Sequence, residues 1–314
     1  MKDRRKAIII GTGSVGASSA FAMTIRQSVD EIVLIDKDPA RVQGEAEDIL
    51  HGLPAMGNTD IRAGEYEDIK DADVIIIAAG RNRKPGQNRL DLAKDNVEIL
   101  KDVVDCMKPY YNGCVVIVVA NPVDVMTLKA CEWLDKKDGT VFGTGCLLDT
   151  SRFVRTIADY VGCDISDVNA YIAGEHGDSQ VAIWSDAKVM NVPIDEYCAK
   201  HQIEWNADIK NELAEKTKKM GAHIIQNKGR THYGIALSVC YLVESIMQNK
   251  PIEASVSTTF NGEYGVSGVA FSMPSRIDRY GAKKMTGVTW TKEETEKFLA
   301  SAEALHHTLE SIEQ

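Results

Sequence analysis

The stretch Ala7-Ile8-Ile9-Ile10-Gly11-Thr12-Gly13-Ser14-Val15-Gly16 sets three glycines directly after a β-branched apolar run and directly before a segment of helical pattern, about residues 14–26. In a strand–turn–helix unit each glycine has its own task. The first permits the tight turn, the second lets a diphosphate approach the backbone, and the third lets the helix pack close to the sheet. The N–H groups that start the helix then face the anion. The next apolar run, Ile32-Val33-Leu34-Ile35, ends at Asp36, roughly twenty residues beyond the last glycine. A carboxylate there accepts hydrogen bonds from the adenosine ribose of NAD and repels the additional phosphate of NADP. The expectation is an NAD site formed by Gly11, Gly13, Val15, Gly16 and Asp36, set against a plain glycine-rich turn with Asp36 on the surface.

Runs of the same kind recur at Val74-Ile75-Ile76-Ile77 and Val115-Val116-Ile117-Val118-Val119, with a shorter piece at Val141-Phe142-Gly143. Strands apolar on both faces and separated by helices indicate a parallel sheet covered on both sides. From Asp149 the pattern changes. Phe153, Val154, Ile157, Ala158 and Val161 follow helical spacing, with strand-like pieces at 168–172 and 181–189. A polar helix is expected around 206–226, another at 232–247, and late strands at 254–260 and 266–273. Phe298, Ala302, Leu305, Leu309 and Ile312 mark one buried face of a closing helix. The fold class expected is therefore α/β. A Rossmann-type doubly wound parallel sheet spans residues 1–148, with a lid loop at 80–92, and an α+β substrate domain spans 149–314.

The 314 residues carry 36 Lys+Arg against 46 Asp+Glu, a formal net charge of −10. That balance argues against nucleic-acid binding, which needs a clustered cationic surface. Residues 81–94 nonetheless concentrate five cations against one acid, a local field suited to small carboxylates. No segment approaches the roughly 20 apolar residues needed to cross a bilayer. The basic start and the apolar run at 7–10 resemble a signal peptide only until Gly11 breaks them. The seven cysteines are odd in number and form no Cys-x-x-Cys pair, which reads as reduced, buried thiols in a cytoplasmic protein rather than disulfides or a zinc site. No metal is expected.

Candidate catalytic residues come from four places. Gly174-Glu175-His176-Gly177-Asp178 sets a histidine among small and polar neighbours, as at a cleft. Asp149 and Arg152 stand three apart at a helix start, where they share a face. Arg89 closes the polar segment Gly80-Arg81-Asn82-Arg83-Lys84-Pro85-Gly86-Gln87-Asn88-Arg89, which follows a strand. Asn121-Pro122-Val123-Asp124 follows the next one. Loops at the carboxyl ends of parallel strands are where such sheets bind ligands. Singly, each has a bland explanation: a structural histidine, a helix cap, a surface charge, a solvated loop. Their occurrence together with a dinucleotide loop makes those explanations weaker.

In this order the motifs resemble the L-lactate and L-malate dehydrogenases, with the lactate branch closer. The likeness runs nearly end to end. It takes in Gly11 to Gly16, Asp36, Lys84-Pro85-Gly86 with Arg89, Asn121 to Asp124, Leu148-Asp149 with Arg152-Phe153, and Gly174 to Asp178. It continues through Lys228-Gly229 with Thr231 and Tyr233-Gly234-Ile235-Ala236. The resemblance implies hydride transfer between NAD and the oxygen-bearing carbon of a small 2-hydroxy or 2-oxo acid. His176 would exchange the proton on that oxygen, and Asp149 would orient the imidazole and favour its charged form. Arg152 would clamp the substrate carboxylate. Arg89 would polarise the carbonyl. Asn121 would hold the substrate oxygen or the nicotinamide side, Thr231 would line the substrate, and Gly80 would lie by the cofactor.

Two departures bear on substrate and regulation. Arg83 stands where lactate dehydrogenases commonly have glutamine and malate dehydrogenases arginine, which argues for a second substrate carboxylate. Glu175, Thr231 and Gly143-Thr144-Gly145 look lactate-like. Lactate is the expected substrate, with malate or another 2-hydroxy acid the alternative, and a non-catalytic NAD-binding protein a remote one. Many bacterial lactate dehydrogenases are activated by fructose 1,6-bisphosphate through an arginine and a histidine, and Val154 and Asn169 occupy those places here. Activation is not expected, although Arg155 is one residue away. The family also implies a homo-oligomer, tetramer or dimer, with apolar helix faces near 153–161 and 235–247 as the expected interface.

Overall fold

The computed structural model describes residues 4–55, 57–81, 89–136 and 138–313. Its first part runs β1 (Lys6–Ile10), α1 (Ser14–Arg26), β2 (Glu31–Ile35), α2 (Pro39–Gly52), β3 (Asp60–Ala63), β4 (Val74–Ile77), α3 (Arg89–Met107), β5 (Val115–Val118), α4 (Val123–Trp133) and β6 (Val141–Gly143). These strands form a parallel sheet in the order β3-β2-β1-β4-β5-β6. Strand alternation explains why the runs are apolar throughout. Ile9, Ile76 and Ile117 point into one core, while Ile8, Ile75 and Val116 point into the other, and all six are fully buried. Each such side chain stabilises the fold by about 1.5–3 kcal/mol on burial.

Chain order reverses between β1 and β4, so the crevice outside their carboxyl ends is where this architecture takes ligands. α1 and the loop into α3 both start at that edge.

The second part continues with α5 (Leu147–Val161), β7 (Val168–Ala173), β8 (Val181–Val189), β9 (Val192–Pro193), α6 (Ile194–Lys200), α7 (Ala207–Lys228), α8 (Tyr233–Gln248), β10 (Ile252–Asn261), β11 (Ser267–Asp278), β12 (Gly281–Lys284) and α9 (Lys292–Glu313). β7, β8 and β9 form a small antiparallel sheet. β10, β11 and β12 extend the large one, joined antiparallel to β6 through Ser257 opposite Gly143. The two parts therefore share a continuous sheet of nine strands. As expected, Phe298, Ala302, Leu305 and Leu309 on α9 are buried, with Ile312 packed at the margin.

Two expectations need correction. The segment 80–92 is not loop to its end, because α3 already begins at Arg89, with Asp91 in the first turn where the helix dipole favours an acid. The apolar face of α5 is also consumed at home. Phe153, Ile157, Ala158 and Val161 are buried in a core with β7, β8 and α6, which leaves them nothing to offer a partner. Among the described residues, a group of exposed apolar side chains lies instead on α8 (Tyr233, Leu237, Tyr241) and on α1 beside it (Phe21, Ile25), each 45–65% exposed.

Candidate active site

The glycine turn has the geometry that its sequence implies. Gly11 has φ +99°, and a Cβ there would stand 2.4 Å from the Ala79 backbone nitrogen. A Cβ at Gly16 would meet the Gly11 carbonyl oxygen at 1.9 Å. Both positions thus require glycine for packing against the sheet. Gly13 is different: a Cβ there meets nothing within 4 Å. It caps α1 without any side-chain hydrogen bond, and no acidic residue stands in the first turn. N–H groups at a helix start without a side-chain cap, beside a glycine with space at its Cβ, fit a diphosphate.

Asp36 is no surface bystander. Its Oδ2 accepts from the Thr12 backbone N–H at 2.7 Å and from Thr12 Oγ1 at 3.3 Å, which ties the end of β2 to the glycine turn. Asp38, two residues on, is spent as the cap of α2, accepting from the Arg41 N–H. Thr231 lies in the turn between α7 and α8, and its neighbours on both sides reach α1. Arg230 donates to Ser14 Oγ at 2.8 Å, and His232 Nδ1 lies 2.9 Å from Ser18 Oγ. The second half of the chain thereby closes over the first turn of α1.

At the far end of β7 the chain turns at Gly174, φ +90°, which exchanges two backbone hydrogen bonds with Ser272 on β11. Glu175 N–H donates to Ser301 Oγ on α9 at 2.8 Å. His176 follows. Its Nδ1 lies 2.5 Å from Asp149 Oδ2, and the other carboxylate oxygen of Asp149 accepts from the Arg152 guanidinium at 2.9 Å. Side-chain exposure falls from 27% at His176 to 14% at Arg152 and 5% at Asp149. One buried carboxylate thus holds both a partly open imidazole and a partly open guanidinium. Helix spacing explains the second contact, since residues three apart on α5 lie one above the other. α7 packs over Arg152 at Gly221, where a Cβ would sit 3.5 Å from the guanidinium nitrogens.

Burial alone would push His176 down and Asp149 up, because both charged forms lose water. Their mutual attraction and hydrogen bond, with Arg152 adding to the hold on Asp149, outweigh this. His176 ends above its ordinary value and Asp149 below. An ionised Asp149 accepts a hydrogen bond from Nδ1–H, which leaves Nε2 as the nitrogen free to exchange a proton.

The structure thus brings His176, Asp149 and Arg152 into one connected group. Asn121, at the end of β5, uses its side-chain oxygen to accept from the Val123 N–H at 3.2 Å. Its backbone oxygen accepts from Asn96 Nδ2 at 2.7 Å, and Asn96 also exchanges hydrogen bonds with the Arg81 backbone. Asn96 is buried on α3 and fastens Gly80-Arg81 to the Asn121 loop; it escaped the sequence reading because an asparagine inside a helical pattern carries no motif. Arg83 lies outside the described residues, as does the side chain of Arg89, which starts α3.

A glycine turn at the switch point of a doubly wound sheet, with a carboxylate-backed imidazole partly open to solvent, suits a dehydrogenase, which moves a hydride and a proton together. Comparison with known proteins gives the family. Residues 5–143 match the lactate/malate dehydrogenase NAD binding domain, and residues 146–314 match the lactate/malate dehydrogenase alpha/beta C-terminal domain. The chain is 38% identical over 307 residues to an L-lactate dehydrogenase of Chloroherpeton thalassium, covering 98% of this chain and 99% of the relative. It is 36% identical over 310 residues to one of Acetivibrio thermocellus, covering 98% of each. A solved structure of the minor L-lactate dehydrogenase from Enterococcus mundtii superposes with a TM-score of 0.93 at 37% identity, over 98% of each chain. The chain belongs to the lactate/malate dehydrogenase family: it is an NAD-dependent oxidoreductase.

Proposed function

We propose that the protein is an L-lactate dehydrogenase, interconverting pyruvate and L-lactate with NAD. The observation that carries the reading is the Asp149 bridge, which poises a proton on His176 beside the carboxylate-binding fork of Arg152. The L-lactate dehydrogenase names of the similar proteins favour lactate over malate.

The cofactor, when bound, supplies or accepts the hydride at the substrate carbon. In pyruvate reduction Arg152 binds the substrate carboxylate and fixes its plane. His176 donates the Nε2 proton to the carbonyl oxygen as the hydride reaches carbon, and regains it from lactate in the reverse direction. Asp149 keeps Nδ1 protonated and stabilises the imidazolium. Arg89 polarises the carbonyl, Asn121 and Thr231 line the pocket, and Gly11, Gly13, Val15, Gly16, Asp36 and Gly80 seat the cofactor. In this scheme residues 1–148 hold NAD and 149–314 supply the proton and the carboxylate clamp.

Arg83 supports a second reading, malate and oxaloacetate, because an arginine at this place in the sequence would pair with a second carboxylate. NADH oxidation followed by absorbance separates the two. The lactate reading requires higher kcat/KM with pyruvate than with oxaloacetate, and the reverse preference, abolished by Arg83→Gln, would establish malate.

The enzyme is further proposed to ignore fructose 1,6-bisphosphate. Val154 packs against the α5 core, Asn169 is exposed on β7 opposite Lys188, and Arg155 is engaged by Asp159 at 2.8 Å. A strong fall in the pyruvate KM on adding the bisphosphate would overturn this. A homo-oligomer, tetramer or dimer, would cover the exposed apolar side chains of α1 and α8 with a second copy. None of the seven cysteines is joined in a disulfide, which suits the reducing cytoplasm, where a fermentative step closing glycolysis would operate.

A further inference from the structure

His176 is gripped by a second carboxylate that the scheme above does not use. Asp124 lies in the first turn of α4 and is 3% exposed. Its Oδ2 accepts from the backbone N–H of His176 at 2.7 Å. Its Oδ1 and the Ser257 hydroxyl on β10 are both buried and face each other, and neither has another hydrogen-bond partner. Such a group is expensive to keep as an acid unless its charge is useful, since an asparagine or a serine would satisfy one N–H at lower cost. Its surroundings are settled by three elements. Glu175 and His176 face it from the turn after β7, Cys146 from the start of α5, and Ser257 from β10. Of these only His176 can carry a positive charge.

We propose that Asp124 is a positioning residue of the proton-transfer site: it fixes His176 through the backbone and, when ionised, holds the proton on the imidazole independently of Asp149. Burial raises the Asp124 carboxyl to about 7, with the His176 N–H and the Ser257 hydroxyl opposing that rise. The Asp124 charge is therefore gained close to neutral pH, while His176, facing Asp149 and Arg152 on α5 as well, is held above its ordinary value. Support for the imidazolium then strengthens as the solution turns alkaline, and the pyruvate-reducing form persists to higher pH than Asp149 alone would allow.

The inference rests on the role given to His176, so its test reads that imidazole without substrate. NMR titration of the His176 ring in the full chain, assigned with His176→Gln, is run for the wild type and for Asp124→Asn. Asparagine keeps an oxygen to accept from the His176 N–H but carries no charge. The midpoint is expected to fall by about one pH unit, a roughly tenfold change in the imidazolium-to-imidazole ratio. The falling alkaline limb of kcat/KM for pyruvate moves by the same amount, with the acid plateau retained. An unmoved midpoint in folded Asp124→Asn, or a uniform loss of rate at every pH with no shift, overturns the proposal. Should Asp124→Asn not fold, Ser257→Ala removes a hydroxyl that favours the ionised carboxylate. It lowers the midpoint by roughly half a unit, and no shift there is equally contrary. Because the titration needs no substrate, its outcome stands apart from whether pyruvate is turned over.

Discussion

The glycine turn after β1 and the turn after β7, the two ligand sites of the proposed scheme, are built from different material. At the first, the backbone does most of the work: Gly11 and Gly16 let backbone segments touch, and the proposed binding groups are the N–H groups that start α1, with the Asp36 carboxylate beside them. At the second, side chains do everything. His176, Asp149 and Arg152 are charged or chargeable side chains joined through one buried carboxylate, and Asp124 holds the His176 backbone N–H. A backbone site is robust to charge changes and sensitive to volume. A buried ionic site is the reverse, since removing one partner strands the other.

Substitutions separate the two kinds of site. The largest effect is expected at His176. His176→Asn should lower kcat by about a thousandfold while leaving NADH affinity, read by fluorescence titration, unchanged. A comparable loss of NADH binding would mean that the two turns are not independent. Arg152→Lys keeps the charge and the Asp149 contact but loses the planar fork. It should reduce kcat/KM for pyruvate about a hundredfold, mainly through KM. Near wild-type kinetics would remove the carboxylate clamp from the scheme.

Smaller effects belong to the backbone site. Gly13→Ala places a methyl group in open space, so the melting temperature should hold while NADH binding weakens by roughly tenfold. Gly16→Ala drives a methyl group onto the Gly11 carbonyl and should cost about 1–3 kcal/mol of stability as well, measured by urea denaturation. Equal behaviour of the two variants would contradict the division between a glycine that binds and one that packs. Asp36→Ser should leave the fold intact and narrow the preference for NADH over NADPH by about tenfold.

The same contrast governs what was legible in the sequence. The parallel core announces itself because strands buried on both faces must be apolar at every position, as in Ile8-Ile9-Ile10 and Val74 to Ile77. β3 did not. Asp60-Ile61-Arg62-Ala63 is a short edge strand with one buried side chain, and Arg62 serves an ion-pair network with Glu31 and Asp68. Sharing of one sheet by β6 and β10 was also invisible, since a single pairing, Ser257 with Gly143, makes the junction. At the site, His176, Asp149 and Arg152 were legible as types and motifs. Their connection was not, because the Asp149–His176 contact joins residues 27 apart and depends on how α5 packs against β7. Asp124 stood in a quoted motif with no task until its contact with the His176 backbone was seen.

The central claim is that one imidazole, held above its ordinary value by carboxylates, exchanges the substrate proton in both directions. The sign follows from the shift. Pyruvate reduction uses the imidazolium, so it is full below the raised value and falls as pH rises through it. Lactate oxidation uses the neutral ring, so it rises over the same range. The direct measurement is kcat/KM for both directions from about pH 5 to about pH 10, roughly two units below neutrality and three above. The account predicts opposite limbs that share one midpoint above 6.5, the ordinary value of histidine. Limbs that move in the same direction, or a shared midpoint at or below 6.5, would contradict it.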